Sequence, residues 1–373
     1  MTSLLTQHRS FDQHVSLQLD SLRGLSALAV LIGHSFQVFI APVSPNLFPV
    51  FGLMAQAAVM IFFVLSGFLI TKSITRNSAR PSGFSIGSFA RDRFNRIYPP
   101  LVFAIVLVVA LFVLAPYFFP SRSHDFLPGG SFIARDGFFV GFPEVAGTLI
   151  FLNGFVVENI SANGPLWSLS FEVWYYVVAG FIAWRPRLGL PIGIAILVGL
   201  ALSNTLFGIY SIIWFAGAVV AMLHNHEINV KPIAYTGAIS SGIMALAIGT
   251  LYCLQATTTA TPSDLTVYLL VAFNLCSGLS FAAFLYLIVI GVVSFKPWLP
   301  TSSQYSYTLY VTHLPILLFI FGIVQPNILD RPLLSSITAA LAFLLAITLA
   351  AFAAPKVENF VLIKKYRKDS PTQ

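Results

Sequence analysis

The chain has 373 residues, a mean hydropathy of +0.86 and only 9% charged residues. Soluble proteins carry about a quarter charged residues, so this composition excludes an ordinary soluble protein and predicts an integral membrane protein. We therefore attribute the net charge of +7 to basic residues that orient the membrane spans, and we expect no nucleic-acid partner.

The sequence contains no strong disulfide or metal-binding pattern. Cys253 and Cys276 lie in apolar runs and form no disulfide or zinc pattern. The run 224–227, HNHE, is a weak metal pattern for which a solvated turn is the alternative, and we expect no metal.

Ten apolar segments are long enough to cross a membrane as helices, which takes about 20 residues. The first twenty residues carry Arg9, Asp12 and Asp20, unlike a cleaved signal peptide, so the first span is expected to be an uncleaved anchor. A further apolar run, 146–157, is too short to span and is expected to lie at the surface or to re-enter. The ten predicted spans are 22–41, 51–71, 98–119, 165–184, 188–204, 206–224, 233–254, 266–293, 304–324 and 333–355.

The distribution of basic residues predicts the orientation of these spans. With the N-terminus in the cytoplasm, all but three of the 20 lysines and arginines fall on the cytoplasmic side, as the positive-inside rule requires. We therefore expect an all-α polytopic membrane protein of about ten transmembrane helices in a single domain, 1–373, with no appended soluble domain. The bundle would cover 15–363, and the tails 1–14 and 364–373 would both be cytoplasmic. The long connection 120–164 would be outside, either as a cover over the bundle or as a substrate-binding lid. The three basic residues on that side are Arg122, Arg135 and Arg331.

The segment 19–36, LDSLRGLSALAVLIGHSF, carries ionisable groups into the first span. Arg23 and His34 are eleven residues apart, which returns to nearly the same helix face about 16 Å further along the axis. Arg23 would lie at the cytoplasmic boundary and His34 beyond the midplane. A polar ring inside a membrane is costly unless it is partnered or hydrated, and such a group usually marks a functional site. The alternative is a helix-packing hydrogen bond.

Two further ionisable groups are expected inside the membrane. Glu172 lies in the fourth span at a depth similar to that of His34, so its carboxylate could orient the imidazole and assist it as a base. A structural ion pair is the alternative for Glu172. His313 lies in the ninth span shortly before Pro315, which frees a backbone carbonyl. This histidine could line the same cavity or simply pack between helices.

Small residues and a basic cluster complete the set of candidate features. Ser66 and Gly67 lie in IFFVLSGFLI, 61–70, where small side chains allow helices to approach closely or line a narrow acyl passage. The segment RDRFNRIYPP, 91–100, places two arginines three residues apart on one helix face. Such a face could bind lipid headgroups or the phosphates of a nucleotide-like cofactor, or it could serve only as a positive-inside anchor. These arginines are Arg93 and Arg96, preceded by Arg91.

Five of these segments, in this order, resemble the motifs of the acyltransferase-3 family of polytopic membrane acyltransferases. LDSLRGLSALAVLIGHSF is similar to its Arg-x10-His signature, IFFVLSGFLI to FFV-S-GF, and RFNRIYP to R-x-x-R-I-x-P. WSLSFEVWYY is similar to WSL-x-x-E and SYTLYVTHLPI to SY-x-x-Y-x-x-H. Two positions depart from the family pattern, because Met60 and Val173 stand where many members carry an acid. These departures leave the acceptor, and any step that needs a second acid, open.

The resemblance implies an acyl-CoA donor, usually acetyl-CoA, used from the cytoplasm, and an acceptor hydroxyl on a cell-surface carbohydrate or glycolipid. It implies Arg23, His34 and Glu172 as catalytic residues, whereas Arg91, Arg93 and Arg96 are expected to bind the donor. The bacterial inner membrane is the expected location, and a separate extracytoplasmic protein is a possible partner. A secondary transporter of a small polar or anionic solute is the rival interpretation, although no inverted repeat is evident. Further candidate cavity residues are Ser66, Trp167, Tyr307 and His313.

Overall fold

The computed structural model describes residues 7–129, 135–184, 186–258 and 263–358. Within these ranges the chain is helical, with two isolated β-bridges and no strand. The predicted tail 364–373 and the first six residues lie outside the described part. The helices are α1 Gln13–Ser35, α2 Phe48–Ser78, α3 Ile86–Phe118, α4 Phe142–Leu149, α5 Leu166–Trp184, α6 Pro186–Ser203, α7 Thr205–Asn225, α8 Lys231–Thr258, α9 Asp264–Val289, α10 Ser306–Ile328 and α11 Pro332–Val357.

Nine helices in the described ranges are long and apolar enough to span a membrane. They confirm the predicted all-α polytopic membrane protein. The fifth predicted span, 188–204, forms the shorter helix α6. The run 146–157 contributes only to the eight-residue helix α4 and the turns after it, in agreement with a segment that does not span. The cytoplasmic location of both termini stays a prediction.

Two helices begin well before the apolar segments that predict them. The first span was expected from residue 22, but α1 begins at Gln13, where the Asp12 carboxylate accepts a hydrogen bond from the Val15 amide at 2.7 Å. Helix α3 begins twelve residues before its predicted span, and the Ser85 hydroxyl accepts from the Ser88 amide at 3.3 Å. Both are N-cap contacts of the usual kind. The arginines expected in a cytoplasmic loop before the third span therefore lie on α3 itself.

The chain divides into two compact units that interleave in sequence. The first contains Met1–Ser26, Leu53–Ala90 and Ser168–Pro300, and the second contains Ala27–Gly52, Arg91–Trp167 and Thr301–Gln373. Helices α1, α2, α3 and α5 each contribute residues to both units. The expectation of a single domain stays a prediction.

In the first unit, α2 and α7 meet at two glycines. A Cβ atom on Gly67 would lie 1.9 Å from the Trp214 carbonyl oxygen, and one on Gly217 would lie 2.0 Å from the Val64 oxygen. Neither position can carry a side chain at this separation. The FFV-S-GF segment thus serves close helix packing, the first of the two interpretations given for it.

In the second unit, the long connection between α3 and α5 packs on α10 through phenylalanine rings and polar bonds. Pro315 has no N–H, so it leaves the Val311 carbonyl without its helical donor. The buried Asn163 amide supplies that bond, with its Nδ2 at 2.9 Å from the Val311 oxygen. The Tyr310 hydroxyl also donates to the Pro165 carbonyl at 3.0 Å. The aromatic contacts involve Phe119, Phe126, Phe138, Phe319 and Phe321.

Candidate active site

His34 lies at the end of α1, where the helix changes to a π-helical turn, Phe36–Ile40. π-turns are rare and frequently occur at functional sites. The turn contains Gln37, whose Oε1 lies 2.9 Å from Nδ1 of His34. An amide oxygen only accepts, so in the neutral ring Nδ1 carries the proton and Nε2 presents a lone pair. Gln37 therefore selects the tautomer in which Nε2 can act as a base.

His313 is held in the same tautomer by its own helix. Its Nδ1 donates to the carbonyl oxygens of Leu309 at 3.1 Å and Tyr310 at 2.8 Å. The side chain is buried, and its Nε2 has no hydrogen-bond partner within the described ranges. A buried acceptor without a partner costs about 1–3 kcal/mol, so its position calls for a functional explanation.

The two imidazole rings are neighbours in the second unit. Their centroids are 5.1 Å apart, and their planes are inclined by 38°. Each ring has its Nδ1 bound to protein and its Nε2 available as an acceptor. Chemically, the pair offers two basic nitrogens in one small volume, as proton abstraction from a hydroxyl or acyl transfer through an imidazole requires.

The long connection carries a cation, Arg135, whose electrostatic field reaches His34. Arg135 donates from Nε to the Ser161 carbonyl at 3.3 Å, and its charge interacts with the His34 ring. The pKa of Arg135 is lowered from its ordinary value because burial desolvates the guanidinium, and the Asp136 carboxylate opposes this effect. The sequence assigned Arg135 only to a cover or lid. Gln37 was not identified from the sequence, because it reaches His34 through the π-helical turn.

Glu172 lies in the first unit and joins a hydrogen-bonded chain. Its Oε1 accepts from the Tyr176 hydroxyl, and the Ser66 hydroxyl donates to the Tyr176 oxygen at 3.2 Å. The Trp214 indole then donates from Nε1 to the Ser66 Oγ at 3.1 Å. Ser66, predicted as a cavity residue, is thus a member of this chain. The expected pairing of Glu172 with His34 stays a prediction.

The predicted arginines are distributed over α1 and α3. Arg23 lies on α1, the helix that also carries His34, and its guanidinium binds the Asp20 carboxylate at 3.1 Å. On α3, Arg91 and Arg96 are exposed and Arg93 is half-buried. Their role in donor binding stays a prediction.

Two candidate cavity residues lie near the ends of α5 and α10. The Tyr307 hydroxyl donates to the Ile97 carbonyl at 3.1 Å and so ties α10 to α3. Trp167 is half-buried at the start of α5, where its amide donates to the Gly164 carbonyl at 3.2 Å. The expectation that Trp167 and Tyr307 line a cavity stays a prediction.

A buried lysine lies in the first unit, one residue beyond the predicted second span, 51–71. Lys72 belongs to α2, and its ammonium donates to the Arg9 carbonyl at 2.7 Å, His224 Nδ1 at 2.7 Å and Asn225 Oδ1 at 2.5 Å. In the segment 224–227, His224 and Asn225 are buried, whereas His226 and Glu227 form a turn in which Glu227 is exposed, so the solvated-turn interpretation holds only for the second half. Across the described residues, no group of three or more His, Cys, Asp or Glu is placed to hold a metal.

Comparison with known proteins identifies similar sequences over nearly the full length. The model of the acyltransferase-3 family, described as an acyltransferase domain, matches residues 16–354. A curated protein of Shigella phage Sf6, named O-acetyl transferase, is 25% identical over 346 residues, which cover 87% of this chain and 92% of that protein. No solved structure matches significantly. The family match includes the histidine pair, Glu172 and the α3 arginines.

Proposed function

Because the chain belongs to the acyltransferase-3 family and is an integral membrane acyltransferase, we propose that it is an O-acetyltransferase. It moves an acetyl group from cytoplasmic acetyl-CoA to a hydroxyl of a cell-surface or lipid-linked carbohydrate. The name of the phage relative supports the acetyl group. A bacterial inner membrane is the proposed location, since it separates a cytoplasmic donor from a surface glycan.

The histidine pair is the observation that carries this proposal. In a direct route, Nε2 of His34 takes the proton of the acceptor hydroxyl while its oxygen attacks the thioester carbonyl. The carbon–sulfur bond then breaks, and the CoA thiolate takes up the proton from the imidazolium. In a two-step route, Nε2 of His34 first attacks the thioester carbonyl and the carbon–sulfur bond breaks, which gives an acyl-imidazolium and the CoA thiolate. The acceptor hydroxyl then attacks the acyl carbonyl, the bond to Nε2 breaks, and the hydroxyl proton passes to the thiolate. In either route, Gln37 keeps the proton on Nδ1.

His313 gives the proposed site a second nitrogen that can accept a hydrogen bond. Its Nε2, buried and without a partner in the described part of the chain, would receive a hydrogen bond from a second hydroxyl of the carbohydrate acceptor, next to the one that reacts. That bond would hold the reacting oxygen close to His34, whose ring centroid lies 5.1 Å away. The reaction therefore gains orientation as well as a base.

Donor binding is proposed for the basic face of α3. Guanidinium groups form paired, charge-assisted hydrogen bonds with phosphate oxygens. Arg91, Arg93 and Arg96 would hold the phosphates of acetyl-CoA. Arg23 and Glu172 are proposed as catalytic residues, as the family resemblance implies.

The test is acetyl transfer in isolated membranes supplied with radiolabelled acetyl-CoA and the host glycans. The informative variants are His34→Asn and His313→Asn, because an asparagine amide can replace the Nδ1 donor but has no basic nitrogen. We expect each variant to lose at least about a hundredfold in rate, the usual contribution of a general base. His14→Asn is the matched control, since His14 is exposed and bonds only to the Ser294 hydroxyl among the described contacts, at 3.0 Å.

Equal labelling in wild type and His34→Asn would remove His34 from the chemistry. Absence of labelling in every sample, together with flux of a solute across the membrane, would contradict the acetyltransferase proposal and favour a transporter. Label in the glycan fraction of wild type alone would support the proposal and identify the acceptor fraction.

A further inference from the structure

We infer that Tyr176 and Trp214 are positioning residues that hold the Glu172 carboxylate in one orientation. Tyr176 binds the carboxylate directly, and Trp214 acts on it through Ser66 and Tyr176. This inference rests on the proposed function, in which Glu172 belongs to the catalytic machinery. Neither aromatic residue occupies one of the motif positions that identify the candidate site. Their contribution follows from the hydrogen bonds and packing of the first unit.

Four side chains form this series of hydrogen bonds, and the two groups at its ends fix the direction of every bond between them. The Trp214 indole is a donor only, and an ionised carboxylate is an acceptor only. The proton of Tyr176 therefore points to Glu172, and the Tyr176 oxygen accepts from Ser66 at 3.2 Å. Ser66 in turn accepts from Trp214 at 3.1 Å. Hydrogen bonds aligned in this way polarise one another, so the chain acts on the carboxylate as a unit.

The donor end of the chain is anchored in the tightest part of the first unit. Trp214 is fully buried, and its ring lies 5.7 Å from that of Tyr175, centroid to centroid. Its own carbonyl oxygen faces Gly67 at the close approach of α2 and α7. Because Ser66 precedes Gly67, the same approach brings its hydroxyl within reach of the indole. A rigid anchor of this kind is what a positioning network needs.

The end of the series that accepts hydrogen bonds, the Glu172 carboxylate with its donor Tyr176, lies on one face of α5. Tyr176 follows Glu172 by four residues, which places both side chains on the same side of the helix. Without the phenol, the carboxylate would keep its location on α5 but lose the bond that selects its rotamer. The expected defect is therefore in turnover, since donor binding is assigned to other residues.

The experiment measures kcat and the KM for acetyl-CoA in Tyr176→Phe and Trp214→Phe, with Tyr175→Phe as the matched control. Tyr175 is the adjacent residue on α5, is fully buried, and donates to the Phe207 carbonyl at 2.7 Å, so its variant also loses one buried hydroxyl. We expect Tyr176→Phe to lower kcat roughly ten- to hundredfold, the factor that a hydrogen bond to a charged group is worth, with KM unchanged. Trp214→Phe should lower kcat less, because it acts two bonds away. The control should keep the wild-type kcat.

Glu172→Gln separates this inference from the proposed function. If Glu172→Gln is inactive while Tyr176→Phe and Trp214→Phe match the control, the positioning role is overturned and the proposed function stands. If Glu172→Gln keeps the wild-type rate, the proposed role of Glu172 fails, and the inference fails with it. If Tyr176→Phe adds no loss in the Glu172→Gln background, the two residues act as one unit, as inferred. Should Tyr176→Phe not fold, Ser66→Ala removes the donor to the Tyr176 oxygen and should lower kcat by a smaller factor, again with KM unchanged.

Discussion

Replacing Gly67 with alanine places a methyl carbon 1.9 Å from the main-chain oxygen of Trp214. Side-chain carbons are not found closer than 3.0 Å to such an atom, so α7 would have to retreat by about 1.1 Å. Overpacking of this kind typically costs about 1–3 kcal/mol, and here the obstacle is backbone, which cannot rotate away. The same retreat would lengthen the 3.1 Å bond between Trp214 and Ser66 beyond hydrogen-bonding distance. We therefore expect Gly67→Ala to lose both thermal stability and activity.

The assay is the fraction of folded protein remaining after heating in detergent, followed by size-exclusion chromatography. Gly52→Ala is the control on the same helix, because a Cβ atom at Gly52 meets nothing within 4 Å. Alanine is the better helix former by about 1 kcal/mol, so Gly52→Ala should be neutral or slightly stabilising. Equal melting of Gly67→Ala and Gly52→Ala would refute the close-packing argument.

Two further perturbations test buried polar contacts. Asn163→Ala should destabilise the protein by about 1–3 kcal/mol, because it leaves the Val311 carbonyl unsatisfied. Adding Pro315→Ala, which restores the missing helical N–H, should recover part of that loss in the same melting assay, and no recovery would contradict the account. Lys72→Met should release the segment that contains Arg9, since its ammonium binds the Arg9 carbonyl. Trypsin should then cleave after Arg9 faster than in wild type, and an unchanged cleavage rate would exclude this tether.

The sequence predicted the class of fold because the membrane imposes it. Each long apolar run must satisfy its own backbone, so helix type follows directly from hydropathy. Hydropathy reports only the part of a helix that lies in hydrocarbon, however, and the polar first turns of α1 and α3 were missed. Asp12 and Ser85 are ordinary capping residues, and attention to them would have located both helix starts.

The sequence predicted those residues of the candidate site whose side chains are chemically unusual inside a membrane. His34 and His313 were identified because burying an ionisable ring in a membrane costs free energy, and the structure places the two rings next to each other. Their partners were not predictable from local pattern alone. Gln37 reaches His34 through a π-turn that no periodicity signals, and Trp214 reaches Ser66 across 148 positions of sequence.

The bond between Asn163 and the Val311 carbonyl bears on how the protein is made. During membrane insertion, α10 leaves the ribosome about 150 residues after Asn163, the separation of these partners being 148 positions. Until the two meet, α10 carries an exposed carbonyl that its own proline prevents it from satisfying, at a cost that lipid does not relieve. Docking of α10 onto the segment that carries Asn163 is what satisfies this carbonyl, and the bond can form only after α10 has been synthesised.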